Sequence, residues 1–137
     1  MPDRVHTNIS GLEWVPDLLF FLSIEYGHRG LTVLTLDAEN DSEIRVMFKD
    51  SVIAFRVMDE SRYANTRWVS SRSSPPKSPI VSVTDSDFLQ WFKREAEEVF
   101  NVESVIHVAI LTQDEWIDVI CLREPSVRRD VERIATQ

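Results

Sequence analysis

The chain has 137 residues, 43% of them hydrophobic and 28% charged, an ordinary globular composition for one domain that excludes disorder as a description of the whole. Fifteen Lys and Arg against 23 Asp and Glu give a formal charge of −8. That field repels nucleic acid and anionic membrane surfaces, and it speeds encounter with a basic protein.

The single cysteine, Cys121, rules out an internal disulfide and suits a reducing, cytoplasmic setting. Met1-Pro2-Asp3-Arg4 has no apolar run behind it, and the most apolar stretch, residues 18–24, is too short to span a bilayer. Neither a secretory signal, a membrane helix nor a lipidation motif is expected.

Leu18-Leu19-Phe20-Phe21-Leu22 fits a buried strand and a helical turn equally. Gly27 and Gly30 mark a loop around His28-Arg29. Residues 31–37 (LTVLTLD) alternate apolar side chains with Thr, 38–42 have turn composition, and Ile44, Val46 and Phe48 alternate with Arg45, Met47 and Lys49. Asp50-Ser51 reads as a hairpin connection into a β-branched strand over 52–58 (VIAFRVM), which makes a meander. Residues 61–79 turn basic and rich in Ser and Pro, and 67–79 is expected to be a mobile loop.

Thr84 is the expected N-cap of the main helix, with Asp87 completing a capping box and Val83 and Phe88 at staple spacing. Phe88, Leu89, Phe92, Ala96, Val99 and Phe100 form its apolar stripe, and it is expected to end near Asn101. Residues 104–111 and 115–122 form a second hairpin around Thr112-Gln113-Asp114. Pro125-Ser126 opens a short final helix with Val127, Val131 and Ile134 on one face. The sum is a single α+β domain over 1–137, with an antiparallel sheet of five or six strands, one main helix and a short C-terminal helix packed on it.

Strong chemical motifs are missing. Three glycines leave little material for a phosphate loop, there is no CxxC, HExxH or GxSxG, and His6, His28 and His107 match no metal-ligand spacing. Asp37, Glu39, Asp41 and Glu43 alternate through a turn but lack the central Gly and distal Glu of a calcium loop, so neither metal nor cofactor is expected.

Charged groups inside apolar strands are more informative, because they must face water or find partners. Strand alternation puts Arg56 on one face with Ala54 and Met58, and Asp118 on one face with Trp116 and Ile120, so Arg56 and Asp118 could pair across the sheet. Arg56, Glu60, His107 and Asp118 then form either a polar pocket in which His107 moves protons, or a set of structural cross-strand pairs. Cys121 sits among apolar neighbours and reads as an inert small hydrophobe. Of the four tryptophans, Trp14, Trp68, Trp91 and Trp116, Trp68 stands in a basic loop. There it either caps the sheet or serves as an interface anchor.

Two stretches, FKDSVIAFRVMDES at 48–61 and LTQDEWIDV at 111–119, together resemble small uncharacterised bacterial proteins of the polymorphic-toxin immunity type. The resemblance implies a cytoplasmic antitoxin that blocks a basic toxin by binding, and it supplies no catalytic residues. A non-enzymatic binding protein is therefore the leading expectation, with Asp59, Glu60, Trp68, Asp114 and Glu115 facing a basic protein partner. The alternative is a small enzyme or ligand-binding domain built on Arg56, His107 and Asp118. A scaffolding subunit or homo-oligomer would need an exposed apolar patch, and residues 18–24 are its candidate.

Overall fold

The computed structural model describes residues 4–59, 68–70, 78–96 and 104–130. In chain order the elements are β1 (Arg4–Asn8), β2 (Phe20–Gly27), β3 (Gly30–Asp37), β4 (Ser42–Phe48), β5 (Val52–Asp59), β6 (Trp68–Ser70), β7 (Ile80–Thr84), α1 (Asp87–Ala96), β8 (Ile106–Leu111), β9 (Glu115–Cys121) and β10 (Ser126–Asp130). They build a four-stranded sheet, β10-β4-β3-β2, and a six-stranded sheet, β5-β9-β8-β7-β1-β6. All pairings are antiparallel except β1 with β6. The fold is thus mainly β, with two sheets in place of the expected single sheet of five or six strands.

The two-residue alternation in β3 and β4 is what makes the second sheet. Leu31, Val33, Ile44, Val46 and Phe48 are all buried on one face, while their sequence neighbours are half-buried. That face packs on Ile80, Val108, Ile110, Ile117, Val119 and Cys121 of the six-stranded sheet. The opposite face of the six-stranded sheet receives α1, through Phe88, Phe92 and Ala96 against Ile120 and Val105. Covered on both sides, β8 and β9 read as almost continuous apolar runs. Each fully buried Phe or Ile in this stack contributes about 1.5–3 kcal/mol.

Four local expectations are corrected. The Asp50-Ser51 hairpin does not form, because β4 already has both edges taken, by β3 and β10. The chain instead turns at Asp50 (φ 51°) and crosses to the other sheet, where β5 pairs with β9. The final helix is the strand β10: Val127 pairs with Val46 and Arg129 with Ile44, so period two wins over the helical spacing of Val127 and Val131. Residues 131–137 lie outside the described residues. The N-cap is Ser86, whose Oγ accepts a hydrogen bond from Leu89 N–H at 3.0 Å, while Thr84 ends β7. The Val83–Phe88 staple frame falls with Thr84, and the two residues pack in different clusters. Within the expected 67–79 loop, Trp68–Ser70 is a strand beside β1, and 71–77 lie outside the described residues. So do 97–103, where the end of the helix was placed. Of the ambiguous 18–22 segment, Phe20, Phe21 and Leu22 open β2, an exposed edge strand in place of a buried one, while Leu18 and Leu19 precede it, and His28-Arg29 is the turn of the β2–β3 hairpin.

The turn side of the four-stranded sheet is locked by an ion pair between buried Asp37 and half-buried Arg129. Asp37 Oδ2 accepts hydrogen bonds from Arg129 Nη1 and Asn40 Nδ2, each at 2.8 Å, and Ser42 Oγ is a further partner of Arg129. Burial pushes the Asp37 carboxyl up, but the Arg129 and Asn40 hydrogen bonds and the Arg129 charge outweigh it and hold the group below its ordinary 3.8. A depressed folded value means that the stabilisation is present above pH 3.8 and is lost as pH falls through the folded value. In urea titrations at stepped pH, Asp37→Asn is expected to start less stable at neutral pH and to show a shallower acid decline. Parallel curves for the two proteins would remove Asp37 as a source of acid sensitivity.

Candidate functional site

The expected meeting of Arg56 and Asp118 is present. They are register partners on β5 and β9, and Arg56 Nε donates to Asp118 Oδ2 at 3.0 Å. On the next strand His107 lies one row away on the same face, and its Nε2 is 2.8 Å from Asp118 Oδ1. Its Nδ1 is 2.8 Å from Ser86 Oγ at the start of α1. Arg56 is held further by Asp87, with Nη2 3.5 Å from Oδ1, and by stacking over the Phe88 ring at 4.4 Å. Phe88 meets the edge of His107 and stacks on the exposed Trp91. A chain Ser86–His107–Asp118–Arg56 thus runs from the helix N-terminus across three strands. Glu60, expected in the same pocket, lies outside the described residues.

One tautomer of His107 satisfies both ring nitrogens and the Ser86 hydroxyl together. The Ser86 hydroxyl donates to Nδ1 while accepting from Leu89 N–H, and His107 Nε2–H donates to Asp118. Serine, histidine and aspartate in line invite comparison with a nucleophilic triad, but three features oppose that use. The ring nitrogens are wired the other way round from the familiar serine hydrolase arrangement, with the carboxylate on Nε2. Ser86 Oγ is already committed to capping the helix. Ser86, His107 and Asp118 are 2%, 1% and 0% exposed, so a substrate has no path to the hydroxyl in this state. Sequence reasoning missed Ser86, Asp87 and Phe88 as members. The available signal was two candidate N-caps two residues apart, Thr84 and Ser86.

Cys121 is fully buried, and burial pushes its thiol up to about 12, which keeps it protonated and unreactive. Among the described residues there is no group of three His, Cys, Asp or Glu placed to hold a metal ion, and the 37–43 turn is no exception. No helix among them is long and apolar enough to cross a membrane.

Of the expected partner-facing acids, Asp59, Asp114 and Glu115 come together, and Glu60 lies outside the described residues. Asp59 and Glu115 are directly opposed on β5 and β9, and Asp114 is the next residue in the β8–β9 turn. Asp59 and Asp114 are exposed and Glu115 is half-buried. Asp114 has a structural task as well: its Oδ1 accepts from Phe21 N–H at 2.9 Å and from the Thr112 hydroxyl at 3.1 Å, which ties the start of β2 to the turn. The backbone of Trp68 lies in β6, at the far edge of the same sheet, so it is not brought to these acids. Around the β2–β3 turn, Glu25, Tyr26, His28, Arg29 and Thr32 line an open groove of about 360 Å³. Comparison with protein-family models, curated proteins and solved structures gave no match.

Proposed function

We infer that the chain is a non-enzymatic binding protein that meets a basic protein partner through the acidic end of its six-stranded sheet, in the manner of an immunity protein neutralising a toxin. The observation that carries this reading is the cross-strand pair Asp59–Glu115. Two acids in that register beside a third concentrate negative charge at one end of the sheet, the complement of a cationic partner. The net charge of −8 adds steering toward such a partner.

The test is affinity capture from the native host's lysate with the wild-type chain and with Asp59→Lys/Glu115→Lys, washed at rising salt. Asp114 is left intact because its reversal would also release Phe21 and disturb β2. The wild type is expected to retain one basic protein that elutes as salt rises, and the double variant to bind it at least about tenfold more weakly. The double variant exchanges one pair of opposed like charges for another, so it should fold about as stably as the wild type, and lost capture then reports the sign of the charge. Equal capture by both proteins, with the same salt dependence, would overturn the assignment.

The second reading, a small enzyme using Arg56, His107 and Asp118, draws on the Ser86–His107–Asp118 chain. It requires an opening that exposes Ser86. The burial of the cluster and its hydrogen bond to the helix cap favour a role in holding α1 on the sheet.

A further inference from the structure

β2 is the outer strand of its sheet, paired only with β3 among the described residues. Edge strands expose a row of backbone N–H and C=O groups, and proteins usually guard them with Lys, Pro or a covering element. β2 reads FFLSIEYG, with neither Lys nor Pro. It exposes Phe20, Leu22 and Tyr26, the last at 60%.

Two contacts fix what lies beside it. Near the β2–β3 turn, the Tyr26 and Phe55 rings meet edge-on at 5.0 Å, which brings β2 to β5. Toward the other end, Phe21 N–H is held by Asp114, the neighbour of Glu115, which opposes Asp59 at the end of β5. Val57, also exposed, falls between these two points on β5. The Tyr26–Phe55 contact at one end and the Phe21–Asp114 hydrogen bond at the other therefore mark a seam between the sheets, with exposed Leu22 and Val57 on the strands that border it, and it ends at three acids.

We propose that this seam takes up an extended segment of the basic partner, which adds to the edge of β2 as a further strand. The proposal rests on the binding function above and specifies how the partner is held. Main-chain pairing supplies affinity, and alternate side chains read the two sides of the seam. The segment's apolar residues lie over Leu22, Tyr26 and Val57, and its Lys or Arg residues reach Asp59, Asp114 and Glu115. Because Asp114 already occupies Phe21 N–H, pairing runs along the Leu22 to Gly27 part of the edge. Charge complementarity selects this occupant over a second copy, which would bring the same acids and another −8 to the same seam.

The probe is a ten-residue peptide alternating Lys and Val, added to the full chain at low salt. It is compared with its Glu–Val counterpart and with a Lys–Val peptide whose alternate amides are N-methylated. Amide hydrogen exchange and amide chemical shifts are read residue by residue. The expected result is that the Lys–Val peptide alone slows exchange of β2 amides by about tenfold at saturation and shifts the amides of Asp59 and Glu115. If the Asp59 and Glu115 amides shift while β2 is unprotected, or the N-methylated peptide binds equally, strand addition is overturned and the acidic-end reading survives. Absence of binding by the Lys–Val peptide also overturns strand addition, and the lysate capture then decides the binding function separately.

Discussion

Asp118→Ala is expected to lower the unfolding free energy by about 3–5 kcal/mol, read as a fall in the urea midpoint at an unchanged slope. Asp118 is completely buried, and its two oxygens serve two different strands, His107 on β8 and Arg56 on β5. Alanine removes the acceptor from both, and it does so under α1, where Ser86 and Phe88 both lean on His107. The His107 side dominates the loss. Arg56 is 28% exposed and keeps Asp87 and the Phe88 ring, so solvent and those contacts soften its share. Asp118→Asn preserves the shape and one acceptor and should cost less. The result also bears on the enzymatic alternative. A catalytic aspartate would give a folded, inactive protein, and a loss under about 1 kcal/mol would withdraw the structural role assigned to this cluster.

The pairing of Arg56 with Asp118 was legible because it rests on strand alternation alone. Arg56 against Asp118 needs only the face of each strand and the knowledge that a charge in an apolar run must pair. Asp59 against Glu115 was not foreseen: it follows from that register, three residues on, only once β5 is known to pair with β9. Sheet membership was not legible. β4 and β5 are separated by three residues and look like a hairpin, but which strands fill the edges of β4 depends on β10, some eighty residues away in the chain. β10 itself was misread because Pro-Ser followed by spaced valines satisfies a helix start, while its real determinant is the unpaired edge of β4. Ser86 was hidden by Thr84, a capping residue of equal quality. What separates them is Asp85, whose left-handed φ of 53° ends the strand between the two. Local rules therefore located the polar partners, while long-range competition for sheet edges decided the layers they sit in.

Gly30→Ala is the other large effect, expected at about 2–4 kcal/mol in the same urea experiment, because conformation and space both oppose a side chain there. Gly30 opens β3 with φ +107°, a region that L residues rarely adopt. A Cβ at that position would stand 2.3 Å from Phe48 O, with Asp50 N and Lys49 Cα at 3.2 and 3.3 Å. All three are backbone atoms of the chain leaving β4, so no side chain can swing aside, and relief requires moving the end of the Leu31–Phe48 pairing. Phe48 is among the most deeply buried side chains of the main core, so that movement is resisted by the packing between the sheets. Gly27, across the same turn, provides the control. It has ordinary φ and nothing within 4 Å of an added Cβ, so Gly27→Ala should be neutral or stabilise by about 0.4–1 kcal/mol through the unfolded chain. Equal losses at the two glycines would mean that the turn tolerates neither side chain for a reason other than the Phe48 carbonyl. A large loss confined to Gly30 would identify the β2–β3 hairpin as pinned from the β4 side. The opposite edge of β2, where Leu22 and Tyr26 are exposed, has no paired strand among the described residues and is the side the proposed segment would take.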